Sequence, residues 1–163
     1  MRVKANSMKK IYRFLLSLKN YKLFFFIFFS IFFINAVFII TKIFIAPKTI
    51  LKLNSSDISL NHRILLSLII APLLETLIFQ KLIFTFCRLY IKSNLICVVI
   101  SAILFGLNHY NSITSIIQTF IIGIGYSLYY SILRKNDTNA FSKVALLHCL
   151  WNLLSITISI NLK

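Results

Sequence analysis

Apolar blocks alternate with short polar junctions along the chain. Residues 23–41, LFFFIFFSIFFINAVFIIT, hold no charged side chain, and neither do 94–108, 111–133 and 144–162. The block 64–84 carries only Glu75 and, near its end, Lys81. A helix needs about 20 apolar residues to cross a bilayer core. The pattern therefore predicts about five membrane-spanning helices, of which the one at 94–108 is the shortest. The longest polar connection is 47–63, PKTILKLNSSDISLNHR, whose NSSD reads as a turn or helix cap. Within it, His62 beside Arg63 reads as a solvated helix end. The first apolar block is longer than a signal-peptide core, and no small-x-small cleavage signal follows it. It reads as an uncleaved helix that also targets the chain. The fold expected is all-α, a polytopic transmembrane bundle over 23–162 preceded by a basic segment over 1–22.

Composition agrees with this reading. Of the 163 residues 59% are hydrophobic, with mean hydropathy +0.88, whereas soluble domains run to about 45–50% apolar. The net charge of +15 would suggest a nucleic-acid partner in a soluble protein. Its distribution argues against one. Seven of the 18 Lys and Arg (Arg2, Lys4, Lys9, Lys10, Arg13, Lys19 and Lys22) precede the first block, which predicts a cytoplasmic N-terminus. With five crossings, Lys81, Arg88, Lys92, Arg134, Lys135 and Lys143 fall on the same side. Only Lys42, Lys48, Lys52, Arg63 and Lys163 fall outside. The cations are thus read as orientation signals and contacts to anionic lipids. Cys87, Cys97 and Cys149 show no C-x-x-C spacing and read as packing residues. Abundant Phe, Ile, Lys, Asn and Tyr point to an AT-rich bacterial source, hence a bacterial inner membrane.

The polar residues inside the blocks carry the candidate chemistry. An ionisable group in hydrocarbon costs at least about 2.5–3.5 kcal/mol and marks a functional site by default. Glu75, in APLLETLIFQ, is the only glutamate in the chain. His109 ends the block that contains F105-G-L-N-H109. His148 and Asn152, in H148-C-L-W-N152, stand at i and i+4 and share one helix face. A carboxylate, two imidazoles and a carboxamide from three helices form a set that activates water and stabilises an oxyanion. The plainer readings are a protonated structural Glu75 and interhelical hydrogen bonding by His148 and Asn152. Asn35 is expected to bond a neighbouring helix. Gly123, Gly125 and Ser127 are expected to permit close helix packing. Counted from the cytoplasmic ends, Glu75 lies near mid-depth, His148 shallower and His109 deeper. Convergence then requires tilted or broken helices, and Pro72 is a candidate kink.

The order Glu75, F-x-x-x-H, H-x-x-x-N resembles the CPBP (Abi) family, which includes the type II CAAX prenyl endopeptidases. The resemblance covers about 71–152, within a family-like core of about 64–160. It implies an intramembrane endopeptidase in which Glu75 is the general base and His109 helps it activate water. His148 and Asn152 would stabilise the oxyanion, with no cofactor and with a membrane-associated peptide or protein as substrate. The family's first motif, E-E-x-x-x-R, departs here to E75-T-L-I-F-Q80, so Thr76 and Gln80 replace a glutamate and an arginine. Standing at i and i+4, these two are expected to hydrogen-bond each other. The departure leaves open a non-proteolytic relative acting as an immunity, binding or scaffold protein. A Glu and two His are also a catalytic zinc set, which leaves a metal hydrolase as a further alternative.

Overall fold

The computed structural model describes residues 2–45, 64–136 and 139–161. The connection at 47–63, with its turn and His62, lies outside the described residues. Among the described residues six helices follow one another: α1 Arg2–Ser17, α2 Asn20–Ile45, α3 Leu66–Tyr90, α4 Asn94–Leu107, α5 Ile113–Asn136 and α6 Ala140–Asn161. Among the described residues there is no strand. Helices α2, α3, α5 and α6 are long and apolar enough to cross a membrane, and the chain is a multi-pass, all-α bundle.

The third predicted crossing, at 94–108, differs from the rest. With 14 residues, α4 covers about 21 Å, against a hydrocarbon core of about 30 Å. It runs antiparallel to α5 and ends level with Ile116, one turn inside the start of α5, where Gly106 meets Ile116 and Phe120. A turn over 108–111 follows. His109 stands in that turn, half-buried between exposed Asn108 and Tyr110.

Helix α5 is the centre of the packing. Half of its apolar window is buried, against about a fifth for α2, α3 and α6. Helix α2 leans on it through one stripe, Leu23, Ile27, Ile31 and Asn35, at steps of four residues. Its other face exposes Phe25, Phe26, Phe29 and Phe33, as a helix facing acyl chains does. Asn35 donates to Ile31 O and accepts from Gln118 Nε2 at 2.6 Å, the interhelical bond that its polarity predicts. Between α4 and α5 the seam is made by small residues, as expected where both helices would otherwise face lipid. A Cβ on Gly123 would lie 2.8 Å from Phe105 Cδ1, and Ser101 Oγ meets Ser127 Oγ at 2.7 Å.

The tightest approach is at Gly106. A Cβ there would lie 2.9 Å from Ile116 O and 2.9 Å from Phe120 Cβ, and a backbone atom cannot swing aside. Gly106→Ala is expected to destabilise the bundle by about 1–3 kcal/mol, the usual cost of overpacking. Thermal unfolding in detergent checks this; an unchanged midpoint would refute the close contact.

Helix α3 is irregular around Pro72. Two π-helical segments, Leu66–Ile70 and Thr76–Ile83, flank one α-helical turn, Ala71–Glu75. The first π turn has a local cause. The Ala71 N–H bonds Leu66 O in the i→i−5 register. In that register the next donor, for Ser67 O, would be residue 72, and proline has no N–H. Ser67 O is left to a side chain, and Asn152 Nδ2 of α6 donates to it at 2.8 Å. Pro72 thus widens the helix and creates an acceptor that ties α3 to α6. Wide turns also rise less per residue than α turns, which moves Glu75 along the helix axis relative to an ideal count.

Candidate active site

Three of the four candidate side chains converge. Glu75 ends the short α turn in α3, and its carboxylate points between α4 and α6. Its Oε2 lies 3.5 Å from His148 Nε2 and its Oε1 lies 4.0 Å from His109 Nε2. His148 is almost fully enclosed, with 4% of its side chain exposed, while Glu75 keeps 19% and His109 29%. The carboxylate and the His109 imidazole are therefore reachable from outside, and His148 forms the back of the site.

The ring nitrogens can be assigned from their neighbours. His109 Nδ1 lies 3.0 Å from Phe105 O, and a carbonyl only accepts. The Nδ1 proton is thus used within α4, and a neutral His109 turns a bare Nε2 toward Glu75. That 4.0 Å gap is too long for a direct hydrogen bond and has the scale of a separation bridged by a third atom. His148 is the opposite case. Its Nε2 faces the carboxylate and carries the proton. Its Nδ1 lies 3.5 Å from Thr76 Oγ1 and accepts from that hydroxyl. One imidazole is held as an acceptor and the other as a donor.

Aromatic rings fix both. Phe105 packs at 5.0 Å from the His109 ring, 5.8 Å from His148 and 5.6 Å from Phe79 (centroid distances). Tyr126 of α5 packs against His148 as well, with centroids 4.7 Å apart, and touches Phe105 at 6.0 Å. Gly123 lets α5 approach closely enough for this, because its missing Cβ leaves room for the Phe105 ring.

Asn152 stands apart from the trio. It lies one turn along α6 from His148, and its amide donates to Ser67 O. No described contact joins it to Glu75 or His109. The hydrogen bond expected between Thr76 and Gln80 is also absent. Thr76 turns to His148, and the Gln80 carboxamide is fully buried with no hydrogen-bond partner among the described residues. Both residues lie in the π segment Thr76–Ile83, and the Thr76 hydroxyl is engaged by His148 instead of Gln80. Cys87, Cys97 and Cys149 are free thiols, and among the described residues no three His, Cys, Asp or Glu are gathered at metal-binding spacing.

Residues 58–154 match the profile of the Rce1-like family, described as type II CAAX prenyl endopeptidase Rce1-like. The chain belongs to that family. No curated protein and no solved structure matches it. The Rce1-like match spans α3 to α6 and takes in Glu75, His109, His148 and Asn152; α1 and α2 lie outside it.

Within this Rce1-like core the sequence pattern missed three contacts. The Thr76 hydroxyl occupies the position of the motif's second acid and holds His148 by its Nδ1. Asn152 serves the carbonyl that Pro72 leaves free, and the signal was present as a proline five residues after Ser67. Tyr126 stacks on His148 with nothing in its own surroundings to announce it. Gln80, in place of the motif's arginine, carries two buried polar atoms without partners. Such atoms cost about 1–3 kcal/mol. Gln80→Leu, close in volume, is expected to leave the unfolding midpoint unchanged or raise it. A clear drop would show that the carboxamide is bonded in the membrane.

Proposed function

We propose that the chain is an intramembrane endopeptidase that hydrolyses a peptide bond without a covalent intermediate. The observation that carries this reading is the convergence of one carboxylate, Glu75, with the Nε2 atoms of two imidazoles, His109 and His148, whose Nδ1 atoms are engaged by Phe105 O and Thr76 Oγ1. The attacking water sits between Glu75 and His109. Glu75 takes its proton, and the bare His109 Nε2 accepts a hydrogen bond that orients it. The His148 Nε2–H turns from the carboxylate to the oxyanion as charge develops there. Asn152 acts in this scheme by holding α3 to α6, and its second amide hydrogen is available to the same oxyanion. Glu75 then returns the proton to the leaving amine. The substrate is a membrane-associated peptide or protein whose cleaved bond enters beside the exposed edges of Glu75 and His109. The N-terminus and its seven cations lie in the cytoplasm of a bacterial cell, with the helices in the inner membrane.

The test is cleavage of a membrane-anchored peptide library by protein reconstituted in liposomes, in water enriched in oxygen-18. Wild type is expected to release fragments with the label in the new carboxyl group, and His109→Ala is expected to release about 10²-fold less. Equal cleavage by both, or none by either, would remove the reading. A non-proteolytic role in binding or immunity is favoured by one observation, the replacement of the acid and arginine of E-E-x-x-x-R by Thr76 and Gln80. Under that alternative, Glu75→Ala would preserve the cellular phenotype at unchanged expression.

A further inference from the structure

A second polar cluster lies at the other end of α3, away from Glu75. The last residues of α3 and the segment after it bring Arg88 and Lys92; the last turn of α5 brings Arg134 and Lys135. All four line one cavity of about 440 Å³, within the roughly 300–1,000 Å³ of ordinary ligand sites. Asn94 and Ser131 line it too, and among the described residues no carboxylate does. The chain has only three acidic residues in total, so these cations have little internal countercharge.

Three of the four cations are held by contacts that leave their charge intact. Arg88 Nη1 donates to Ile91 O and Lys92 O, closing the end of α3 and fixing its guanidinium in the wall. The Arg134 guanidinium lies 5.9 Å from the Phe84 ring centroid and the Lys135 ammonium 5.0 Å from that of Tyr12. The Tyr12 hydroxyl meets Ser131 Oγ at 3.5 Å and accepts from Asn94 Nδ2 at 3.3 Å. Burial pushes that phenol up, but its bonds to Ser131 and Asn94 and the Lys135 ammonium outweigh the burial and bring it below its ordinary value. The local field favours negative charge.

We propose that this cavity binds the phosphate of an anionic phospholipid headgroup. Position favours a lipid over a free anion. The cavity opens where two apolar helices, α3 and α5, end together, the level at which headgroups lie. Two of its lining residues, Asn94 and Ser131, bond Tyr12 of α1, an amphipathic helix that buries Leu15 against the bundle and leaves Ile11 and Phe14 exposed. A helix of that kind lies in the interface with its apolar side chains among the acyl chains. A headgroup phosphate would bridge the exposed Lys92 and Arg134, joining α5 to the segment after α3. A choline-bearing headgroup would bring its own cation into the same field and be disfavoured. This inference rests on the membrane setting and not on the peptidase reading.

The test uses the full chain in detergent micelles with phosphatidylglycerol and phosphatidylcholine of equal chain length, bound lipid being read by native mass spectrometry. Wild type is expected to retain phosphatidylglycerol preferentially. Lys92→Gln with Arg134→Gln is expected to lower the preference roughly 25-fold, about fivefold for each cation, with an unchanged circular dichroism spectrum. Equal retention of both lipids by wild type, or an undiminished preference in a folded double variant, would overturn the proposal. So would inorganic phosphate at millimolar concentration displacing the lipid completely, since the occupant would then be a free anion. Should the double variant misfold, wild type with a photoactivatable phosphatidylglycerol decides the matter. Crosslinks are expected within 84–94 and 131–135, and their absence there would refute the site.

Discussion

Glu75→Gln is expected to abolish peptide cleavage while leaving the bundle folded. The substitution keeps the shape of the side chain and its ability to accept from His148 Nε2 at the present 3.5 Å, but an amide does not take a proton from water. General-base catalysis contributes about 10²–10⁴-fold, and the loss should fall in kcat rather than in substrate affinity. The measurement is fragment release by reconstituted protein, with helical content and unfolding midpoint as controls. Retained cleavage would mean that the glutamate is a structural hydrogen-bonding group, as the plainer reading of a buried acid has it.

The second large effect separates two roles of Asn152. Its Nδ2 group fills the carbonyl that Pro72 strands, and it stands one turn from His148 where an oxyanion would be stabilised. Asn152→Ala is expected to cost stability by about 0.5–2 kcal/mol, the range of interhelical hydrogen bonds in membranes. It is also expected to lower cleavage by about 10²–10³-fold if the amide serves the oxyanion. Adding Pro72→Ala restores an N–H five residues after Ser67, and the double variant should regain most of the lost stability. Cleavage should not return with it. If activity recovers together with the unfolding midpoint, Asn152 is a tether alone.

These two expectations also show where the sequence was informative. The bundle was legible because lipid allows few alternatives: runs such as 111–133 without a charge become helices, or expose backbone polar groups to hydrocarbon. The same pressure made Glu75, His109 and His148 conspicuous, since each is expensive where it stands. The partner of each was less legible. Thr76 and Gln80 stand four apart and share a helix face, but the Thr76 hydroxyl turns to His148 across the bundle, which spacing along one helix does not show. A pattern of apolar residues does not reveal π turns, because lipid-facing positions tolerate a rotation of the helix without penalty. The bond from Asn152 to Ser67 depends on the other π segment, Leu66–Ile70, beside Pro72. Helix α4 was read as the shortest crossing, and its length follows from where the polar turn after Leu107 begins. The cavity built by Arg88, Lys92, Arg134 and Lys135 was visible only as charge at block ends; their meeting is a property of helix pairing.

The shortness of α4 has a consequence for the surrounding lipid. A slab of hydrocarbon meets an element about 9 Å too short to match it, and acyl chains beside Leu107 have to splay or dimple to follow it. The dimple lies over His109, so the aqueous boundary dips toward the carboxylate without a channel being cut through the protein. The acyl-chain length of the host bilayer thereby joins the residues in setting how far bulk solvent stands from Glu75.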